Sequence, residues 1–126
     1  MILKIRLISG DNLLGNKPTD IDIEPFVKIK IHGHSTDNGK WCSKTSQNNA
    51  LYSAWNDDEA EFNIKYPENA IIQFKVIKSK MKVGEKALGS YFIALSLVQK
   101  GYRRIELENS DGRKTKAGLL VKISIE

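Results

Sequence analysis

One cysteine, Cys42, stands in a chain of 126 residues, so no internal disulfide is available. The sequence has no Asn-x-Ser/Thr acceptor and no apolar run near the roughly 18 residues that a membrane-spanning helix needs. Met1 leads straight into Ile2-Leu3-Lys4-Ile5 without the charged and apolar regions of a secretory leader. These absences point to a soluble, cytoplasmic protein, or to a fragment of one. Catalytic signatures are missing as well: there is no glycine-rich phosphate loop before a helix, no G-x-S-x-G elbow and no H-E-x-x-H pair. The chain is therefore expected not to be an enzyme. Sustained 3.6-residue periodicity is absent too, and only Ser96 to Gly101 leaves room for a single helical turn. No internal repeat, linker or low-complexity stretch interrupts the sequence.

What is present suffices for one packed core. Hydrophobic residues make up 40% of the chain and charged ones 28%, outside the composition of disordered chains. The length fits a single domain over residues 1–126. A net charge of +5 favours an anionic partner: a phospholipid surface, an acidic protein face or nucleic acid.

Short blocks of period-two alternation recur, the mark of half-buried antiparallel strands. Leu3, Ile5 and Leu7 alternate with Lys4 and Arg6; Val27, Ile29 and Ile31 alternate with Lys28 and Lys30. Ala60, Phe62 and Ile64 form a third block, and Ile72, Phe74 and Val76 a fourth. Leu88 to Leu95, Arg103 to Leu107 and Leu119 to Ile125 supply three more, with Lys40 to Thr45 a weaker eighth. Turn-forming clusters separate them: Gly15-Asn16-Lys17-Pro18, Asp37-Asn38-Gly39, Gln47-Asn48-Asn49, Tyr66-Pro67-Glu68-Asn69 and Ser110-Asp111-Gly112. The expected fold is all-β, an eight-stranded antiparallel β-sandwich with Greek-key connections.

The segment with the most chemistry runs from Lys78 to Lys86, between the strand ending at Ile77 and the one beginning at Leu88. Lys78, Lys80, Lys82 and Lys86 face one acid, Glu85, and Met81 and Val83 are interleaved. Cations that meet lipid headgroups while apolar side chains enter the interface give a membrane-docking loop; an ordinary solubilising loop is the plainer reading. Lys28, Lys30, Lys40 and Lys44 would add a basic sheet face if their strands are neighbours. Asp20, Asp22 and Glu24, with Asp58 farther on, are oxygen-rich loop residues of the kind that ligate calcium, although turn-rich solvated loops have the same composition. His32 and His34 flank Gly33 and Cys42 follows eight residues later, which leaves room for a zinc site, but two histidines one residue apart at a strand end are expected simply to face solvent. Trp41 and Trp55 are expected as core or core-edge anchors.

Taken in order, several segments resemble the C2 domain of phosphoinositide-specific phospholipases C. They are Leu3 to Gly10, Glu24-Pro25 running to Gly33, Asn48-Asn49 before Trp55, Pro67 to Ala70 leading to Phe74-Lys75-Val76, Leu88-Gly89, the Gly101-Tyr102-Arg103 turn, and Leu119 to Ile125. The resemblance spans almost the whole chain. It implies a sandwich with type II strand connections and three loops at one end that bind calcium in many relatives. It also implies a departure. Where the third loop of such relatives carries carboxylates, this chain has Lys78, Lys80 and Lys86, while Glu24-Pro25 stands for an Asp-Pro pair and Tyr52-Ser53 for Asn-Pro. Three ammonium groups in place of three carboxylates remove the charge that holds the divalent ion. No cofactor is expected, and no metal. The expectation is a monomeric, peripheral module that binds anionic phospholipid membranes without calcium, with a protein-interaction or structural module as the alternative, calcium-dependent lipid binding through Asp20, Asp22, Glu24 and Asp58 as a third reading, and no role on nucleic acid.

Overall fold

The alternating blocks become strands in the computed structural model, which describes residues 1–13, 25–44, 52–77 and 87–126, without the side chains of residues 52, 53, 56 and 57. Eight strands are present among these: β1 (Ile2–Asp11), β2 (Phe26–His32), β3 (Gly39–Cys42), β4 (Tyr52–Asn63), β5 (Ile71–Ile77), β6 (Ala87–Ala94), β7 (Gly101–Glu108) and β8 (Lys114–Ile125). Neighbouring strands run antiparallel in the order β3-β2-β5-β6-β7-β8-β1-β4. Pairing between β6 and β7 is confined to Ser90 opposite Glu108, so the array divides into a first sheet, β3-β2-β5-β6, and a second, β7-β8-β1-β4. The chain crosses between them after β1, β3, β4 and β6, which winds a Greek-key sandwich.

The alternation decides which side chains are enclosed. Val27, Ile29 and Ile31 of β2 and Ile72, Phe74 and Val76 of β5 are buried from the first sheet. Leu3, Ile5 and Leu7 of β1 and Leu119, Val121 and Ile123 of β8 are buried from the second. Enclosing each large aliphatic or aromatic side chain contributes about 1.5–3 kcal/mol. Trp55 is 5% exposed and Trp41 packs partly buried against the same cluster, so both tryptophans are the anchors expected of them.

Where the sheets join they come very close. A Cβ added at Gly89 would lie 2.8 Å from the Cβ of Leu107, so this buried crossing admits only glycine without movement. Two short 3-10 turns complete the described chain. Pro67–Asn69 falls in an expected turn, and Leu95–Leu97 begins one residue ahead of the helical turn anticipated from Ser96.

β4 is longer than its alternation suggests. Register slips between Leu7 and Ser9 of β1, where Leu7 faces Asp58 but Ser9 faces Ala54. This bulge shifts the inward parity from Ala60 and Phe62 to Trp55, so no single period runs through the strand. The turn at Asp37 is tied by its side chain. The carboxylate accepts the amides of Lys65 at 2.8 Å and Tyr66 at 2.7 Å, fixing the β2–β3 turn to the exit of β4.

Candidate functional site

Three stretches of the sequence, residues 14–24, 45–51 and 78–86, lie outside the described residues. With them lie Lys78, Lys80, Met81, Lys82, Val83 and Lys86, and also Asp20, Asp22 and Glu24. Their flanks are described and sit together. Asp11 pairs with Tyr52, Phe26 pairs with Ile77, Lys28 pairs with Cys42 and Ile77 pairs with Ala87. Every chain end that enters or leaves these stretches is thus at one end of the sandwich.

The first sheet leads to the same end, and its charge is one-sided. Its four strands contain Lys28, Lys30, Lys40 and Lys75 and no aspartate or glutamate. The second sheet carries acids in abundance, Asp11, Asp58, Glu59, Glu61, Glu106 and Glu108 among them. Ion pairs form there: Lys4 with Glu61 and Glu126, Arg104 with Asp11 at 2.8 Å, and Lys114 with Glu106. On the first sheet the register sets lysine against lysine. Lys30 lies directly opposite Lys40, and Lys28 directly opposite Lys75.

These lysines occupy the outward positions, because Val27, Ile29 and Ile31 take the inward ones on β2 and Phe74 and Val76 on β5. Lys28, Lys30 and Lys75 are half-buried, stems against the sheet, and Lys40 is exposed. A shallow hollow of about 350 Å³ opens between Lys30 and Lys40, with His32, Asn38 and Gly39 completing its wall. Beside it lies apolar surface. Phe92, 56% exposed, faces Gln73 across the strands with its ring 6.3 Å from His32, and Ile71 is 42% exposed.

Of the basic-face residues read from the sequence, Lys28, Lys30 and Lys40 come together as neighbours. Lys44 follows two residues past β3, its amide donating to the Asp58 carboxylate at 3.0 Å. That contact engages one oxygen of Asp58, the described member of the acidic set. Among the described residues no three of histidine, cysteine, aspartate and glutamate cluster as a metal site. His32 instead meets Gln73 at 2.8 Å, and His34 stacks on Tyr66 at 4.3 Å.

Lys75 and Phe92 were missed by sequence reasoning. Lys75 was visible as the polar member of an alternation, but its partner Lys28 is 47 positions away and only the register unites them. Phe92 sits in a run with hardly a polar residue, which conceals the side it faces.

Comparison with known proteins places this geometry. The profile of the C2 domain family matches residues 1–110. The chain is 36% identical over 110 residues to 1-phosphatidylinositol 4,5-bisphosphate phosphodiesterase zeta-1 of Rattus norvegicus, covering 87% of this chain and 17% of that protein. It is 32% identical over 126 residues to the delta-1 protein of the same name and organism, covering 98% and 16%. Inactive phospholipase C-like protein 2 of Homo sapiens is 30% identical over 128 residues, covering 98% and 11%. The chain therefore spans about a sixth, or less, of the length of these relatives. Among solved structures, PLC21 of S. officinalis superposes with a TM-score of 0.80 at 22% identity, over 98% of this chain and 15% of that one. A C2 domain of plant extended synaptotagmin 1 superposes at 0.74 and 18%, over 97% and 91%.

Proposed function

The chain belongs to the C2 domain family, and from that premise we propose that it is a non-catalytic module, one domain over residues 1–126, that docks on anionic phospholipid membranes without calcium. The observation that carries the reading is the first sheet, with four lysines, no acid, and lysine opposite lysine in two cross-strand pairs. Like charges placed directly opposite destabilise a sheet by a few tenths to about 1 kcal/mol per pair. Between Lys30 and Lys40 this repulsion is relieved when anionic headgroups arrive. Each lysine near an anionic leaflet contributes about 1 kcal/mol, so four give on the order of a thousandfold in binding. The hollow between Lys30 and Lys40 suits a phosphate, and Phe92 and Ile71 supply apolar contact at the interface.

The lysines at 78, 80, 82 and 86, with Met81 and Val83, follow directly from β5 and would extend the basic surface at the end where Lys75 lies. Calcium independence rests on Lys78, Lys80 and Lys86 standing where calcium-binding relatives carry carboxylates. Such a module works in the cytoplasm as a peripheral monomer, recruited by charge and screened by salt.

Co-sedimentation with phosphatidylserine vesicles, in calcium and in chelator, tests this. Binding should be equal in both, and should fall when Lys78→Asp, Lys80→Asp and Lys86→Asp are combined, and again when Lys30→Glu and Lys40→Glu are combined. Binding that needs calcium would overturn the calcium-free reading. No binding to any anionic vesicle would point to a protein-docking module, which the exposed Leu97 and Tyr102 on the far side would favour.

A further inference from the structure

Away from the lysine face, the sandwich has an open flank. Beyond Ser90 opposite Glu108, the strands β6 and β7 separate, and the edge of β7 from Gly101 to Leu107 is not paired to β6. Between them lies a cavity of about 350 Å³. Its floor is apolar, lined by Phe74, Tyr91, Ile93, Ile105 and Ile123.

The charge at its mouth is unexpected for the position. On β7, Ile105 and Leu107 point into the sandwich and are buried; Arg103 has the same parity, lines the cavity, and remains exposed. Its guanidinium donates to the carbonyls of Lys100 at 3.0 Å and Tyr102 at 3.3 Å. Among the described residues Arg103 forms no ion pair, whereas its neighbour Arg104 meets Asp11 and Glu106. An inward-pointing charge on a strand edge turns away most incoming strands. It admits the strand that brings the opposite charge.

We propose that the cleft between β6 and β7 takes an extended peptide, added as a strand to the β7 edge, that carries an acidic residue and an apolar residue two positions apart. The spacing follows from the sheet. Inward positions recur every second residue, so a carboxylate beside Arg103 sets the next inward side chain beside Ile105, over the cavity. Backbone bonds to the free edge supply affinity that is indifferent to sequence, and the two inward side chains supply choice. A carboxylate matches the planar fork of the guanidinium in two parallel hydrogen bonds. The unpaired edge favours a peptide over an acyl chain, which would fill the cavity and leave the backbone groups of β7 unmet.

The test is titration of the 15N-labelled chain with the synthetic peptide Ac-STSETLTS-amide, with variants replacing its Glu by Lys, replacing its Leu by Ser, or moving the Leu one position on. The expected result is shifted amides along Gly101 to Glu106, with affinity lowered about tenfold by each peptide change. Arg103→Glu should lose the Glu peptide and gain the Lys peptide, a swap of preference that simple misfolding does not produce. No shift at β7 up to about 1 mM peptide, or shifts only at Lys28, Lys30 and Lys40, would overturn the proposal. So would a short-chain fatty acid shifting Tyr91, Ile93 and Ile105 when the peptide does not. None of these outcomes depends on vesicle binding, so failure here and failure of the membrane reading are separable.

Discussion

Asp37 shows how one side chain can hold two distant parts of the chain. Burial alone would raise the affinity of its carboxyl for a proton, but the amides of Lys65 and Tyr66, the nearby charge of His34 and the Thr36 hydroxyl outweigh it. The group is held below the ordinary value of 3.8. A carboxylate whose folded value is lowered stabilises the fold at pH above its unfolded value, and that contribution is lost as pH falls through the folded value. Asp37→Asn should therefore lower the melting temperature at pH 7, by an amount that shrinks as pH falls from the ordinary carboxylate range through the folded value. Thermal melts across that range check this; an equal loss at both ends would show that shape, not charge, matters. Gly89 makes a steric claim of the same local kind. Gly89→Ala forces its new methyl against Leu107 and should cost about 1–3 kcal/mol in chemical denaturation, whereas Gly112→Ala, in an open turn at φ +77°, has only backbone strain to overcome.

At the scale of strands, the first sheet trades stability for charge. Lys40→Glu sets a carboxylate opposite Lys30 and should stabilise the fold by a few tenths to about 1 kcal/mol. The same change should weaken vesicle binding. Denaturant melts and co-sedimentation on this one variant measure both halves, and a variant that loses stability would contradict the repulsion argument. The two sheets also mark where the sequence stops being readable. Strands whose two faces differ, such as Leu3 to Leu7 and Val27 to Ile31, were evident because burial imposes a strict period. The first half of β4 was hidden because the bulge at Leu7 and Ser9 breaks that period. The basic face was legible as residues but not as a face, since alternation says which side a lysine takes and not which strand lies next to it. Lys40 beside Lys30 is a fact of register, created by the turn that Asp37 and Asn38 hold.

For the molecule as a whole, the two sheets divide the work. The strands of the second carry both signs of charge, several of them in ion pairs, and the strands of the first carry lysines and no acid, which concentrates positive charge on that face. Charge concentrated in this way makes binding salt-dependent. Raising ionic strength from 0.1 to 1 M shortens the screening length from about 10 to about 3 Å and should release the protein from vesicles without unfolding it. The central claim is that the placement of charge matters, not its amount. The most direct test compares two variants of identical net charge on phosphatidylserine vesicles in chelator: one with Lys28, Lys30, Lys40 and Lys75 changed to Glu, the other with Arg6, Lys114, Lys116 and Lys122 of the second sheet changed to Glu. Loss of binding confined to the first variant is the predicted result, and equal loss in both would contradict it.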